Sequence, residues 1–316
     1  MIIDCHVHLC AFTPGHGSMS NRLINSIPFR FMRWKLGIQG TPNAAAEQHL
    51  ADTLAFAIDE SKLDAAVILA FDAVHDAAGN FDAANTHLYL TNDYAIELCK
   101  RYPTMKFGAS VHPYRKDAVA ELERCVAAGA VLLKWLPIVQ NFNPADPKCI
   151  PFYEALAHHK LPLLCHTGGE KSLPNLDPLT ADPMLLRPAL DRGVTVIMAH
   201  CGTRSVPTEH DYVPNFMRLA KEYEHCYGDT SALNLPTRWY AYQSILNDHA
   251  VRQKLVHGSD WPILPLPNPL DHPLRKAWVM VMQPNWIQRD IEIKESLGFE
   301  EAYWHRGAKV LGLGVS

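Results

Sequence analysis

Several features that define other classes of protein are missing from this sequence of 316 residues. Its eight cysteines include no C-x-x-C pair, which argues against a zinc knuckle, a redox motif or a disulfide framework. Its 29 basic and 33 acidic residues are spread along the chain without a basic block, so nucleic acid is not an expected partner. No apolar run approaches the roughly 18 residues of a membrane span. We therefore expect a soluble, cytoplasmic protein that acts on a small molecule and does not bind membranes.

The sequence also lacks the motifs of two common enzyme classes. It contains no G-x-S-x-G elbow, which would position a nucleophilic serine, and no phosphate-cradling loop or dinucleotide fingerprint. We therefore do not expect catalysis through a serine acyl-enzyme or chemistry that depends on a nucleotide.

Eight short apolar runs alternate with longer segments of helical periodicity. The runs cover residues 2–8, 65–71, 106–112, 130–136, 161–166, 195–200, 225–229 and 254–257. Helices are predicted over residues 44–61, 91–102, 118–128, 152–159, 184–192, 213–223 and 241–253, with a closing helix over 299–313. This alternation is typical of parallel strands that are buried on both faces.

The number of runs and the position of the polar residues favour a closed barrel over an open sheet. Polar residues cluster at the C-terminal ends of the runs, where barrel enzymes carry their active sites. No glycine-rich turn follows the first run, as it would in a doubly wound nucleotide-binding sheet. We predict an α/β fold in which residues 1–316 form one (β/α)8 TIM-barrel domain.

The segment from Ala11 to Thr41 is too long for an ordinary loop after the first strand. It carries four large apolar side chains and three arginines, namely Phe29, Phe31, Met32, Trp34, Arg22, Arg30 and Arg33. We interpret it as an insertion that forms a lid or an oligomer contact, as in a homodimer. The alternative is a solvated insertion that only packs on the barrel mouth.

Several metal-ligand side chains occupy the C-terminal ends of the apolar runs. His6 and His8 are two residues apart in a strand, so both imidazoles project from the same face, which in a barrel is the interior. His166, His200 and Asp260 each end or follow a later run. Burying several such groups at one barrel mouth costs free energy unless they share a cation or a proton. Imidazole and carboxylate donors suit Zn²⁺, and Mn²⁺ or Fe²⁺ would accept the same set.

Four motifs in this order resemble the amidohydrolase superfamily, in the branch that includes amino-carboxymuconate-semialdehyde decarboxylase. They are Asp4-Cys5-His6-Val7-His8, Cys165-His166-Thr167-Gly168, Met198-Ala199-His200-Cys201-Gly202 and His257-Gly258-Ser259-Asp260-Trp261-Pro262. The resemblance spans nearly the whole chain. It implies that His6, His8 and His166 are metal ligands and that Asp260 is both a ligand and a proton-handling carboxylate. It makes His200 a catalytic histidine or part of a second ligand set.

Lys134 ends the fourth apolar run and leaves the number of metal ions open. In binuclear relatives, a lysine at this place is carboxylated and bridges two metals, with histidines of the fifth and sixth strands completing the second site. The amine could instead pair with a substrate carboxylate or a neighbouring acid, or simply extend to the barrel mouth. We favour one ion over two.

Four further residues at the same end of the barrel are candidates for substrate binding. They are Arg204, His112, Asp229 and Trp261. Arg204 could receive an anionic group through a bidentate contact, although a surface loop position is an equal alternative. Trp261 would form a pocket wall or pack the last strand against a loop. Asp4 could orient an imidazole or bind backbone amides inside the barrel.

These residues predict a metal-dependent enzyme, and hydrolysis of an amide, ester or lactone of a small organic acid is the leading hypothesis. The metal would acidify water, Asp260 would accept a proton, and His200 would stabilise or protonate the reacting oxygen. Non-oxidative decarboxylation of a small carboxylic acid is an alternative with the same ligands. A barrel that binds metal or ligand without catalysis is a third hypothesis, because one fold supports many functions.

Overall fold

The computed structural model of the chain describes residues 1–314 and contains ten strands. They are β1 (Ile3–His8), β2 (Gly17–Met19), β3 (Ala65–Leu69), β4 (Leu88–Leu90), β5 (Met105–Ala109), β6 (Leu132–Trp135), β7 (Leu163–His166), β8 (Val196–Ala199), β9 (Cys226–Asp229) and β10 (Leu255–Val256). Eight of them form one parallel sheet in the order β1-β3-β5-β6-β7-β8-β9-β10. The eight predicted runs are therefore the eight barrel strands, and the predicted fold class is confirmed.

The sheet closes through the segment that follows β10. The amide of Cys5 donates to the carbonyl of His257 at 3.0 Å, and the amide of Asp260 donates to the carbonyl of His6 at 2.9 Å. The amide of His8 then donates to the carbonyl of Trp261 at 2.8 Å. These hydrogen bonds join the last strand to the first, so the two ends of the barrel sequence lie side by side.

Alternate residues of the strands pack into two separate groups, as the two-residue period of a strand requires. Val67 and Leu69 belong to a small cluster that fills the barrel, whereas Ala66 and Ile68 belong to the large cluster shared with the surrounding helices. The closing helix is also confirmed, because Ala308 of Glu301–Val310 joins the small cluster. The barrel is therefore a packed core with space for chemistry only at its mouth.

Fourteen α-helices surround the strands in the part of the chain that the structure describes. They are α1 (Asn21–Ile24), α2 (Ile27–Lys35), α3 (Ala44–Asp59), α4 (Asn92–Arg101), α5 (Ala118–Ala127), α6 (Pro137–Gln140), α7 (Ile150–His159), α8 (Arg187–Leu190), α9 (Val213–Glu222), α10 (Ala241–Asn247), α11 (His249–Arg252), α12 (Leu274–Met282), α13 (Trp286–Ser296) and α14 (Glu301–Val310). None of these helices combines the length and apolar character that crossing a membrane requires.

Two predicted helices differ from those in the structure. The helix expected over residues 184–192 is a 3-10 turn, Pro183–Leu186, followed by the four residues of α8. The helix expected over 241–253 divides into α10 and α11, because Asp248 accepts a hydrogen bond from the amide of Val251 and starts a new helix. The helices α12 and α13 are not predicted from the sequence.

The insertion has a defined structure and is anchored to the barrel. Its strand β2 pairs antiparallel with β4, which lies after the second barrel strand. The buried carboxylate of Glu47 accepts hydrogen bonds from the amides of Phe12 and Thr13 and contacts Nδ1 of His16 at 2.8 Å. The helix α2 follows, with Ile27 and Trp34 exposed on its outer side. The oligomer contact stays a prediction.

A buried ion pair ties α13 to the strand end that leads to Asp260. The ammonium group of Lys294 donates to the carboxylate of Asp290 and, at 2.8 Å, to the carbonyl of Gly258. Both side chains are fully buried, and Asn234 donates to the same carboxylate at 2.7 Å. Removing one partner of such a pair leaves a buried charge without compensation.

We predict that Lys294→Met lowers the free energy of unfolding by about 3 to 5 kcal/mol, the usual loss when a buried ion pair is broken. Urea denaturation measures the change. The exposed Lys309 supplies the matched control, Lys309→Met, which should leave the free energy of unfolding within about 0.5 kcal/mol of the parent. Equal stability of the two variants would contradict the role given to this pair.

Candidate metal centre

Three predicted ligands converge where the barrel closes. Nε2 of His6 lies 3.0 Å from Nε2 of His8 and 3.4 Å from Oδ1 of Asp260, and Nε2 of His8 lies 3.3 Å from the same oxygen. Atoms bound at about 2.1 Å to one ion lie about 3.0 to 3.4 Å apart in octahedral or tetrahedral arrangements. The three atoms therefore have the mutual spacing of ligands that share a single cation.

The hydrogen bonds of His6 direct a lone pair into this cluster. Its Nδ1 lies 2.7 Å from Oδ2 of Asp229, a carboxylate that can only accept, so Nδ1 carries the proton. Nε2 is then unprotonated and faces His8 and Asp260. A carboxylate behind a ligand histidine fixes its tautomer and ring orientation. Asp229, a predicted substrate contact, therefore lies behind the candidate ligand His6.

His166 lines the same cavity, but its Nε2 lies outside the tight cluster. This atom is buried and has no hydrogen-bond partner among residues 1–314. Its ring stands 4.9 Å from the ring of His200, centroid to centroid. An orphaned buried nitrogen is costly, and a cation held by His6, His8 and Asp260 would give it a partner. The donor set therefore fits a metal ion.

His200 presents one ring nitrogen to the cavity. Its Nδ1 donates to the carbonyl of Ser231 at 2.9 Å, and its backbone amide donates to Asp229 at 2.8 Å. Nε2 is left for the cavity that the ring lines. The backbone of His200 has a φ of 58° and that of Asp260 a φ of 65°, both in the left-handed region. Such strained residues cluster at functional sites.

Gly258 and Asp4 set the position of the first strand against the last. A Cβ added at Gly258 would lie 2.9 Å from Cβ of His6, so a side chain there would displace the ligand. Oδ1 of Asp4 accepts from the amides of His6 and Ser259 at 2.9 and 3.0 Å. Asp4 therefore binds backbone, one of its two predicted roles.

Burial dominates the electrostatics of the site. It lowers the pKa of His6, His166 and His200 well below that of a free histidine, and neighbouring positive groups lower it further. Burial acts to raise the pKa of Asp260, but His6 and His8 outweigh it and hold that pKa below its usual value. Neutral imidazoles beside an ionised carboxylate are the protonation states that a metal site requires.

Lys134 reaches the cluster from the fourth barrel strand. Its Nζ lies 3.0 Å from Nε2 of His6, and its side chain is almost fully buried. Burial lowers the pKa of the amine, although the carboxylates of Asp229 and Asp260 oppose this. Of the alternatives that the sequence left open for Lys134, this position places the amine beside the cluster and away from solvent.

An apolar cavity of about 90 Å³ lies above the cluster. Most of its wall is apolar, supplied by Leu9, Cys10, Phe29, Met32, Phe71, Leu88, Leu136, Leu173, Pro262 and Ile263. Phe29 and Met32 come from α2, so the insertion covers the cavity as a lid would. Glu170 and Ser172 add polar groups to the wall, and burial raises the pKa of Glu170. Neither residue belongs to a motif that the sequence alone would reveal.

The other predicted substrate contacts lie outside the cavity wall. The guanidinium of Arg204 stacks over the ring of Tyr240 at 4.5 Å. Trp261 is buried and lines a separate groove together with Phe56 and Trp286. His112 is buried, with Nε2 donating to the carbonyl of Gln140 at 2.9 Å and Nδ1 accepting from the amide of Tyr114 at 3.1 Å. The structure does not bring these three to the cluster.

The support that Asp229 gives to His6 yields a prediction. Asp229→Asn replaces a charged acceptor with a weaker one and permits the wrong imidazole tautomer, so zinc affinity should fall about 10- to 100-fold. Chelator competition measures the zinc dissociation constant. The exposed Asp59 provides the control, Asp59→Asn. Equal zinc affinity in Asp229→Asn and the parent would show that the contact does not orient the ligand.

Because His112 is neutral in the folded protein, we predict that the free energy of unfolding depends on pH. Burial lowers the pKa of His112 from 6.5 to about 3, so the unfolded chain binds a proton that the folded chain does not between these values. This contribution is complete above pH 6.5 and is lost as pH falls towards 3. From pH 6.5 to 4.5 it amounts to about 2 to 3 kcal/mol.

Urea denaturation at both pH values tests this with His112→Gln, which keeps a donor for Gln140 but cannot titrate. Between pH 6.5 and 4.5, the free energy of unfolding of His112→Gln should fall by about 2 to 3 kcal/mol less than that of the parent. The exposed control His158→Gln should lose as much as the parent does. Parallel losses in His112→Gln and the parent would contradict the assignment.

Solved structures with similar folds include both hydrolases and decarboxylases, each 12% to 16% identical to this chain. A probable 2-pyrone-4,6-dicarboxylic acid hydrolase from Acinetobacter baumannii is 16% identical, with a TM-score of 0.61 and coverage of 98% of this chain and 99% of its own. A 2,6-dihydroxybenzoate decarboxylase from Rhizobium is 13% identical, with a TM-score of 0.55 and coverage of 99% of each chain. A 5-carboxyvanillate decarboxylase from Sphingomonas paucimobilis is 12% identical, with a TM-score of 0.56 and the same coverage.

The similarity to these solved structures shows the fold, and the family is shown by the match of the sequence to a family model. No curated protein matches the chain significantly. The family model described as amidohydrolase, however, matches residues 3–284, which include β1, the insertion over residues 11–41 and Asp260. The chain therefore belongs to the amidohydrolase family, and it is an enzyme.

Proposed function

We propose that this enzyme is a metal-dependent hydrolase that cleaves an amide, ester or lactone bond of a small organic acid. The observation that carries the proposal is the convergence of three lone-pair atoms, from His6, His8 and Asp260, within 3.4 Å of one another beneath a mainly apolar cavity. Enzymes of this family generally use a divalent metal ion.

We assign the ion to His6, His8, His166 and Asp260. Three imidazoles and one carboxylate favour Zn²⁺, and Mn²⁺ or Fe²⁺ would be held by the same atoms. We propose one ion rather than two. The second group of candidate ligands, His6, His200 and Asp229, is already joined by hydrogen bonds through Asp229 and the hydroxyl of Ser231. A second ion has fewer free donor atoms there, even with Lys134 close by.

When bound, the ion would polarise a substrate oxygen and acidify water. The chain supplies proton transfer and orientation. Asp260 is ionised, and its side chain is 13% exposed, so it can accept a proton from water in the cavity. His200 holds its proton on Nδ1 and offers Nε2 to the substrate side, where it can receive a proton and return it to the leaving group. Phe29 and Met32 of the lid exclude bulk water.

Decarboxylation is the second candidate, and the apolar cavity favours it. A carboxylate that leaves water for a wall of leucine, phenylalanine and isoleucine side chains loses its hydration, which destabilises the charged ground state. The same metal cluster would hold the substrate. Nε2 of His200 could take a proton from water and deliver it to the carbon from which carbon dioxide departs, which leaves hydroxide to combine with the carbon dioxide.

Turnover in water labelled with ¹⁸O tests the proposal. Zinc-loaded enzyme should hydrolyse at least one member of a panel of lactones, esters and amides with incorporation of one ¹⁸O, and removal of zinc by a chelator should abolish activity. Asp260→Asn and His200→Gln should each lower kcat/KM by about 10² to 10⁴. The exposed His210 supplies the control, His210→Gln. Release of carbon dioxide from aromatic carboxylates without ¹⁸O incorporation would replace hydrolysis with decarboxylation.

A further inference from the structure

Glu170 is a fixed carboxylate in the cavity wall, outside the metal cluster. It follows His166 by four residues in the loop after β7 and lines the same cavity as His166, His200 and Asp260. Its Oε1 accepts hydrogen bonds from the backbone amides of Ser172 and Leu173, the latter at 3.0 Å. These two amides fix the orientation of the carboxyl group. Within residues 1–314, no hydrogen-bond donor reaches the other oxygen, Oε2.

Among the described residues, the cavity wall itself carries no lysine or arginine, and the two cations that interact with Glu170, Lys134 and Arg238, are buried outside the lining. Arg204 stacks on Tyr240, away from the lining. Arg238 is a buried arginine that contacts this loop. It donates to the carbonyl of Gly169 at 2.8 Å, to Oγ1 of Thr203 at 2.6 Å and to Oγ of Ser205 at 2.8 Å. Its two terminal nitrogens therefore donate to the loops behind the wall. Its Nε has no hydrogen-bond partner among residues 1–314, and its charge opposes the rise that burial causes in the pKa of Glu170.

This arrangement discriminates between substituents on a bound molecule. A second carboxylate on the substrate would face Glu170 across an apolar cavity, where like charges repel more strongly than in water. A hydroxyl or amino group would instead donate to the free Oε2, and a hydrogen bond to a charged group contributes more than one between neutral partners. The rest of the wall, including Leu136 and Phe71, accepts only an apolar body.

We propose that Glu170 is a specificity-determining residue that selects a monocarboxylic or carbonyl substrate with a hydroxyl or amino group on an otherwise apolar body, and that it rejects dicarboxylates. This inference rests on the proposed function, since it takes the first polar group of the substrate to bind at the metal cluster.

Equilibrium binding to the zinc-loaded protein tests the inference, with small aromatic acids as probes. The probes are benzoate, 3- and 4-hydroxybenzoate, and the dicarboxylates isophthalate and terephthalate, each titrated by calorimetry. The tighter of the two hydroxybenzoates should bind about 10- to 100-fold more strongly than benzoate. Both dicarboxylates should bind more weakly than benzoate.

Two variants separate the charge of Glu170 from its position. In Glu170→Gln the preference for the hydroxybenzoate over the matching dicarboxylate should fall at least about 10-fold, because repulsion disappears and a charged acceptor is lost. Glu170→Asp keeps the negative charge but holds it farther from the bound probe. This variant should therefore bind hydroxybenzoates more weakly and still reject dicarboxylates. The exposed Glu301 gives the control, Glu301→Gln, whose selectivity should equal that of the parent.

Zinc content and zinc affinity are measured on the same samples, and these separate the two proposals. If the variants bind zinc as the parent does and the selectivity of Glu170→Gln is unchanged, the inference about Glu170 is wrong and the proposed function stands. If the parent binds no zinc, the proposed function fails and this inference fails with it.

Discussion

The closure of the barrel between its first and last strands is the constraint on which the site depends. The amide of Asp260 is bonded to the carbonyl of His6, and the amide of His8 to the carbonyl of Trp261. These hydrogen bonds bring residues that are more than 250 positions apart in sequence to adjacent places on one rim. The imidazoles of His6 and His8 face the barrel interior because they are two residues apart in β1, and Asp260, which follows the last strand with a φ of 65°, places its carboxylate beside them. A slip of one residue in this pairing would turn the ligands into the wall.

Buried polar groups behind the rim preserve that pairing. Burying them costs free energy, which explains why they make several hydrogen bonds. Asp229 receives hydrogen bonds from His6, from the backbone of His200 and from Ser231. Lys294 fixes the carbonyl of Gly258 from the opposite side. A buried carboxylate or ammonium without partners would cost several kcal/mol. With partners it holds its neighbours in one arrangement, which is the preorganisation that a catalytic site needs.

The sequence predicted the parts of this structure that follow from periodicity and strand ends. The alternation of apolar runs predicted the barrel, and the two-residue spacing of His6 and His8 predicted that both would face its interior. Other parts depend on contacts that no local pattern encodes. Arg204 was interpreted as a substrate contact, but Tyr240, 36 residues later, stacks against it. Glu170 lies in an irregular loop and becomes a wall residue only through the amides of Ser172 and Leu173.

The central claim is that side chains from distant strands hold one cation. A crystal structure of the zinc-loaded enzyme, with anomalous diffraction recorded at the zinc edge, tests it most directly. The account predicts a single anomalous peak within bonding distance of Nε2 of His6, Nε2 of His8, a ring nitrogen of His166 and a carboxylate oxygen of Asp260. A peak bound elsewhere, or the absence of any peak at this rim under saturating zinc, would contradict it.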